Sequence, residues 1–461
     1  MPRTNHHDTR RPPTPALLRA AAAALAPVLV AAAAAGQLSQ PGAVLTLDAA
    51  LREIASHSTA AATSGLDLHA AAEGTRRAQA SLHPTLSLTG GYQARDHNIV
   101  AKFGTLRAPE AEQDFLTGEL DLSYLLWDGG RRQSAISSSR SLEAATAQRG
   151  SADVRSTQLD GLAAYLRVLT FKAQRQVLAQ RAAALKDHLR QVQDMFDQGV
   201  VARNDLLETE VRLRLVEDQS GQVDNGEAVA AESLNRLMGR DPARPLVLPE
   251  RLPSPPPLPA VVVELERRAA DTNPQLLALA ARLKAEEDVV TLRKSDSAPT
   301  VFAEASHTYQ QNRYLVYPNA NLVFLGVSWQ AYDGGAREAS VREAEFAAAR
   351  TREEIADLKR QLAIQIDQAY RDYSQAVREA ATAETNVRAA EENLRIEEDQ
   401  YKAGLVRTTD VLDAESVLAE SRFSLVNQHY DAYLKQGVLL TAAGEDLPTF
   451  FAAVGSRGQE Q

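Results

Sequence analysis

The chain repeats itself along its length, and this duplication constrains the fold more than any other feature of the sequence. Three separated landmarks recur 205 positions later. The landmarks and their second copies are residues 127–131 (WDGGR) and 332–336 (YDGGA), 198–208 and 403–413, and 238–239 and 443–444. Pro84 recurs as Pro299, 215 positions later, so the first copy holds ten extra residues before Trp127. Repetition at fixed spacing predicts two copies of one structural unit.

The two predicted units cover residues 44–247 and 248–446. Eight prolines lie between Pro242 and Pro259, which predicts a stiff extended linker over residues 240–259 rather than a helix. Residues 447–461 remain as a C-terminal tail. Length alone would allow two or three domains, and the duplication favours a tandem arrangement.

Each unit contains one very long segment with helical periodicity. Residues 131–198 lack proline, and residues 336–403 lack both proline and glycine. Their apolar residues recur every three or four positions on mostly charged segments, as in a coiled coil. The helices would be about 100 Å long at ~1.5 Å per residue. Gly199 and Gly404 end them, and return helices are expected at 203–239 and 408–444. The stripe residues are Leu178, Ala182, Leu185, Leu189, Val192 and Phe196, and Ile355, Leu358, Leu362, Ile366, Ala369, Tyr373 and Val377.

The segments before the two DGG turns alternate with a period of two. Residues 84–127 and 299–332 each read as a pair of strands, the second strand clearer than the first. About ten alternating residues suit a strand that crosses a membrane, although a soluble β-sandwich has the same period. Trp127, Trp329 and Tyr332 at one end resemble an interfacial aromatic girdle and favour the membrane.

The N-terminus has the features of an export signal. Arginines precede an alanine-rich apolar run that ends in small residues, so residues 1–35 are predicted to be a cleaved signal peptide. A retained membrane anchor is the alternative. Later segments offer no apolar run long enough for a membrane-spanning helix, so a membrane location would require β-strands.

Composition excludes several other functions. The chain has no cysteine, which removes thiolate metal sites, disulfides and an N-terminal lipidated cysteine. Its formal charge of −10 is spread along the chain, so nucleic acid is not an expected partner. Catalytic and nucleotide-binding motifs are missing, and we expect no enzyme activity, cofactor or metal.

Counting strands predicts an oligomer. Two strands per unit give four per chain, which cannot close, and open sheet edges are not tolerated in lipid. Two chains would give an eight-stranded barrel filled by side chains, whereas three would give twelve strands around a lumen. A conduit therefore implies a homotrimer.

This plan resembles the TolC family of outer-membrane efflux proteins. The resemblance rests on the duplicated strand pairs and long hairpins, the DGG turns and the motif at residues 199–208 and 404–413, and covers about Leu45 to Leu447. It implies a mainly α fold with long helical hairpins forming a periplasmic tunnel, continued by a twelve-stranded barrel in outer-membrane lipid. The implied partners are a periplasmic adaptor and an inner-membrane pump or ABC transporter. The missing cysteine matches the non-lipidated branch, which includes secretion channels.

The turns at the far ends of the long helices hold the candidate functional residues. Asp205, Glu208, Asp410 and Asp413 lie in the first turns of the return helices. In a trimer they would form acidic rings that constrict the entrance, and in family members with a closed entrance the residues matching Asp410 and Asp413 do so. The alternative is a favourable interaction of carboxylates with the helix dipole.

The same turns are small and apolar. The residues expected to be exposed there are Gly199, Val200, Val201, Gly404, Leu405 and Val406. Simple helix capping would explain the glycines, whereas exposed apolar side chains suggest docking of the adaptor. Arg203 and Arg407 are candidates for ion pairs that hold the entrance closed.

Two other classes of protein share some of these features. A periplasmic adaptor also carries helical hairpins, but usually one hairpin among β-rich domains rather than a duplicated unit. A copper or silver exporter would be a subclass of the same family, and the chain's three methionines and absent cysteines give it no soft-ligand pathway.

Overall fold

A computed structural model describes residues 44–255, 258 and 261–457. The predicted signal peptide at 1–35 lies outside these residues. The helices are α1 (Leu47–His57), α2 (Thr59–Ala80), α3 (Arg131–Asp197), α4 (Arg203–Leu237), α5 (Val262–Thr272), α6 (Pro274–Ser295), α7 (Ala336–Lys402), α8 (Thr408–Ala442) and α9 (Leu447–Arg457). The strands are β1 (Thr85–Ala94), β2 (Ile99–Phe103), β3 (Leu106–Ala111), β4 (Asp114–Trp127), β5 (Thr300–Gln310) and β6 (Asn319–Ser328). The predicted mainly helical fold with two long hairpins and four long strands is confirmed.

The duplication extends to the ends of the helices. Helices α1 and α2 begin and end 215 residues before α5 and α6, and α3 and α4 begin and end 205 residues before α7 and α8. The spacing changes across the hairpin β2–β3, which holds the ten extra residues of the first unit. Sequence reasoning treated this segment as a loop and did not predict α1, α2, α5 or α6. In α2 only Thr75 is buried, so its apolar period is too weak to detect.

The long strands form one antiparallel sheet in the order β1–β4–β5–β6. The two units meet where β4 pairs with β5, with Ser123 opposite Glu304. Strand β1 pairs with β4, and β6 with β5, which leaves the outer edges of β1 and β6 without a partner strand in the described part of the chain.

The helices are joined by narrow coiled-coil contacts. Leu178 and Leu185 of α3 pack with Val216 and Val223 of α4, and Leu412 of α8 joins them, so α3 holds both return helices. The predicted stripe of α7 is wrong at one position: Val377 is 42% exposed, and the adjacent Ala376 is buried instead.

The largest core lies midway along the helices, where the proline-rich linker crosses α3 and α8. Lys172 of α3 donates from Nζ to the Leu248 carbonyl (3.1 Å), and the Tyr433 hydroxyl of α8 donates to the Pro253 carbonyl (2.7 Å). The residues after 446 are not merely a tail, because α9 places Leu447 and Phe451 in this core.

Candidate functional site

The far ends of the two long helices form the candidate site, which we call the tip (residues 198–208 and 403–413). Gly199 and Gly404 have φ of 74° and 73°, a left-handed conformation that glycine adopts without steric cost. The amide of Val200 donates to the Met195 carbonyl (2.9 Å), and Leu405 donates to Gln400 in the same way (3.0 Å). Each glycine therefore ends its long helix and turns the chain back.

The first aspartate of each return helix is a cap. Asp205 accepts a hydrogen bond from the Ala202 amide (3.1 Å), and Asp410 accepts one from the Arg407 amide (2.9 Å). The carboxylates satisfy helix N-H groups and interact favourably with the dipole. Both aspartates therefore have a structural role at the starts of the return helices.

The second acidic residue of each turn makes a different contact. Arg212 of α4 lies with Nη2 3.4 Å from an Asp413 oxygen and 3.7 Å from a Glu208 oxygen. This contact bridges the two units, and Asp413 remains 71% exposed. Sequence reasoning missed Arg212, although its position four residues after Glu208 is the spacing of a helical ion pair.

The two arginines proposed for ion pairs differ. Arg407 lies 3.8 Å from its own cap, Asp410, with an 84% exposed side chain, which is a weak surface pair. Arg203 makes no ion pair within the part of the chain that the structure describes.

The apolar side chains of the tip divide into two classes. Val200 is 68% exposed and Leu405 75% exposed. Val201 and Val406 instead pack against a small core with Val192, Tyr401 and Val411, so the expected exposure of these two side chains is wrong. Each turn presents one apolar side chain to the outside and uses its neighbour to hold the two hairpins together.

A buried polar group lies behind this small core. The imidazole of His188 packs against the Tyr401 ring, with 5.2 Å between centroids, and Tyr401 accepts a hydrogen bond from the Thr408 hydroxyl (3.2 Å). Burial lowers the pKa of His188, and its Nε2 has no hydrogen-bond partner within the described residues.

The opposite ends of α3 and α7 share one arrangement. Asp128 accepts hydrogen bonds from the amide and Nε of Arg132 (3.0 and 2.9 Å), and Asp333 accepts the same pair from Arg337 (3.1 and 2.7 Å). Sequence reasoning found the DGG turns but not the arginine four residues after each aspartate. The motif anchors each long helix to the sheet.

Within residues 44–255, 258 and 261–457, no group of histidine, aspartate and glutamate side chains could hold a metal ion. None of the described helices combines the length and apolarity needed to cross a membrane.

The fold is a duplicated unit in which one antiparallel sheet is continued by long helical hairpins. The model of the outer membrane efflux protein family matches residues 50–240 and 265–445, one stretch for each unit. The chain belongs to the outer membrane efflux protein family. It is therefore an outer-membrane efflux channel protein whose helices extend into the periplasm, rather than a periplasmic adaptor.

Solved structures show the same fold. VceC of Vibrio cholerae is 19% identical with a TM-score of 0.73, over 87% of this chain and 96% of its own. CmeC of Campylobacter jejuni is 13% identical with a TM-score of 0.72, over 86% and 85% of the two chains. The MtrE channel of Neisseria gonorrhoeae is 16% identical with a TM-score of 0.71, over 87% and 89%. No curated protein matches the chain by sequence.

Proposed function

We propose that three copies of the chain assemble into a passive exit duct, with twelve strands closed in the outer membrane and the helices forming a periplasmic tunnel. A periplasmic adaptor and an inner-membrane pump or ABC transporter deliver the substrate to the tip. One observation carries this proposal. Several residues of the first unit contact the second unit inside the chain, whereas the equivalent residues of the second unit have no such partner among the described residues.

The sheet gives the first example of an open contact. Strand β4 of the first unit pairs with β5 of the second, and the equivalent partner of β6 would be a second copy's β1. Ser123 of β4 lies opposite Glu304 of β5. Adding 205 to the first position and subtracting 215 from the second places Ser328 of one copy opposite Thr89 of the next. Exposed strand edges are not tolerated in lipid, so closure by further copies supplies the missing hydrogen bonds.

The helix starts give the second example. A Cβ at Gly129 would lie 2.5 Å from the Cβ of Ala298 in the other unit. At the equivalent Gly334, a Cβ would meet no atom of the described residues within 4 Å. The turn at Gly129 is therefore closely packed against the second unit. In the proposed trimer, the turn at Gly334 packs in the same way against a second copy.

A disulfide experiment tests the assembly, because the native chain has no cysteine. Ser328→Cys combined with Thr89→Cys should give covalently linked trimers after oxidation in outer membranes. Leu88→Cys replaces Thr89→Cys in the control, because adjacent strand residues point to opposite faces. Monomers in both variants would disprove the closed sheet.

We propose further that the acidic residues at the tip constrict the entrance, with distinct roles. Asp205 and Asp410 cap the helices, whereas Asp413 and Glu208 are held by Arg212 and carry the charge that cations meet. Three copies would form a ring of Asp413 carboxylates, and such rings hold cations and narrow a pore.

Single-channel recording in lipid bilayers tests this entrance. Asp413→Ala should raise conductance and weaken block by divalent cations, and Asp413→Ala with Glu208→Ala should raise conductance further. Asp205→Asn is the matched control, because it changes a cap without changing the proposed ring. Unaltered conductance and cation block in the double variant would remove the gate function.

The exposed apolar residues of the tip support adaptor docking, with Val200 and Leu405 as contacts beside Gly199 and Gly404. Leu405→Asp should abolish adaptor crosslinking and efflux, because it places a charge on the docking surface. Val406→Ala is the control, since Val406 packs inward. Retained crosslinking and efflux in Leu405→Asp would show that docking occurs elsewhere.

A further inference from the structure

The contact between α3 and α6 joins the two units inside the chain through small and hydroxyl side chains. The Ser137 hydroxyl donates to the Asp288 carboxylate (2.7 Å), and the Ser138 hydroxyl donates to the Ala285 carbonyl (3.0 Å). Ser141, one turn further along α3, is only 7% exposed. Small residues allow this close approach of two helices.

The equivalent face of α7 has different chemistry and is uncovered. Adding 205 to the three serine positions gives Arg342, Glu343 and Phe346. All three are exposed, and the exposed fraction of Phe346 is 72%, against 7% for Ser141. Arg342 has no ion-pair partner within the described residues. A cation and a large aromatic side chain thus replace the serines of the covered contact.

A complementary face lies on α2. Subtracting 215 from Ala281, Ala285 and Asp288, which share one face of α6, gives Leu66, Ala70 and Glu73. These residues follow helical spacing and are all exposed, with Leu66 at 68%. Glu73 also forms an exposed ion pair with Arg76 of its own helix, which leaves its second carboxylate oxygen for a further partner. Within the described residues, α6 packs on both α3 and α7, whereas α2 packs on α3 and has no comparable contact with α7. One face of α2 therefore lacks the neighbour that α6 has.

We propose that this face of α2 packs on α7 of a second copy, with Glu73 paired to Arg342 and Leu66 packed on Phe346. The two faces match in charge and in apolar character, at positions where the chain itself shows how the helices cross. We call each of these helix contacts a seam. The seam between copies (α2 with α7) is therefore formed by an ion pair and large apolar side chains, whereas the seam within the chain (α6 with α3) is formed by small side chains and hydrogen bonds. This inference rests on the proposed trimer.

The chemical difference gives the seam a function beyond packing. A serine face placed against Leu66 would leave a void, and Phe346 placed against Ala281 would overpack. The serine face of α3 thus favours α6 of its own chain, and the face of α7 that carries Phe346 favours α2 of another copy. This discrimination directs the helices into alternating order around the tunnel.

A charge swap tests the pairing. Arg342→Glu should lower the ratio of trimer to monomer in a mild-detergent extract roughly tenfold, because it places two carboxylates together at every seam. Combining it with Glu73→Arg should restore the ratio. Arg352→Glu is the control, because Arg352 already pairs with Glu287 inside its own unit and its loss should leave the ratio unchanged.

A second measurement separates this seam from the trimer itself. Leu66→Cys with Phe346→Cys should crosslink neighbouring copies in intact cells. Suppose that Ser328→Cys with Thr89→Cys links the copies while Leu66→Cys with Phe346→Cys does not and the charge swap has no effect. That result would disprove the contact between α2 and α7 and would leave the proposed trimer supported. If neither pair links copies, both proposals fail.

Discussion

Helices α3 and α7 have equal lengths, matching ends and the same aspartate–arginine anchor, yet they differ in their surroundings. Among the described residues, α3 is covered by α2, α4, α6 and α8, whereas α7 packs on α5, α6 and α8 and leaves one face open. In the proposed trimer, the first unit takes these neighbours from its own chain, and the second unit takes one of them from another copy. Four comparisons between equivalent residues test this difference.

The largest expected effect is at a buried ion pair that joins the two units inside the chain. Arg181 of α3 donates from Nε to Glu415 of α8 (2.9 Å), and both side chains are at least 85% buried. Arg181→Ala should destabilise the chain by about 3–5 kcal/mol by leaving a buried carboxylate unpaired. Asn386→Ala, at the equivalent position of α7, should cost less than about 1 kcal/mol. Urea unfolding measures both.

The cost of Arg181→Ala should depend on pH. Burial raises the pKa of Glu415 above its ordinary value of 4.5, although Arg181 opposes the shift. A raised pKa favours folding below the ordinary value, and this contribution is lost as pH rises through the shifted value. Arg181→Ala should raise the pKa of Glu415 further, so the loss of folding stability caused by this substitution should be smallest at acidic pH. Glu415→Gln should rescue it, and failure of rescue would assign the cost to packing.

A smaller effect is expected at the helix starts. Gly129→Ala and Gly334→Ala both place a side chain at positive φ, at a cost of about 1–2 kcal/mol. Gly129→Ala should cost roughly 1–3 kcal/mol more, because its Cβ meets Ala298. Melting temperatures of the detergent-extracted monomer measure the difference. Equal losses would show that the two turns have the same neighbours.

The third comparison concerns two arginines at equivalent positions. Arg155 donates from Nη1 to the Gly444 carbonyl (2.6 Å), and Arg360 would reach Gly239 of a second copy by the same geometry. Arg155→Ala should cost about 1.5–3 kcal/mol in unfolding of the monomer. Arg360→Ala should leave the monomer unchanged and weaken only the trimer. Equal effects on monomer unfolding would remove the distinction.

The smallest effect is expected at His188, whose equivalent in the second unit is Asn393. Burial lowers the pKa of His188 below 6.5, so the unfolded chain binds the proton more readily. Stability should therefore fall as pH drops from 6.5 towards the lowered value. His188→Asn should reduce this acid loss by less than about 1 kcal/mol, seen in melting curves between roughly pH 7 and 5. An identical acid loss in the variant would contradict this role.

Sequence reasoning predicted the duplication, the hairpins and the positions of the tip residues. It did not predict which valines of the tip face outward, because Val200 and Val201 are chemically identical and only the approach of Tyr401 and Val411 buries Val201. It also missed Arg212, whose partner Asp413 lies in the other unit. Contacts between units depend on how the helices cross, which local periodicity does not contain.

Local sequence signals are enough to place the starts and ends of the long helices and their return helices. Glycines with positive φ, capping aspartates and periodic apolar residues act on neighbours within a few positions, so they work identically in both units. Which helix faces are covered depends on the tertiary structure, because burial of a face requires a partner supplied by a distant segment. That is why two units with the same local signals have one closed seam and one open seam.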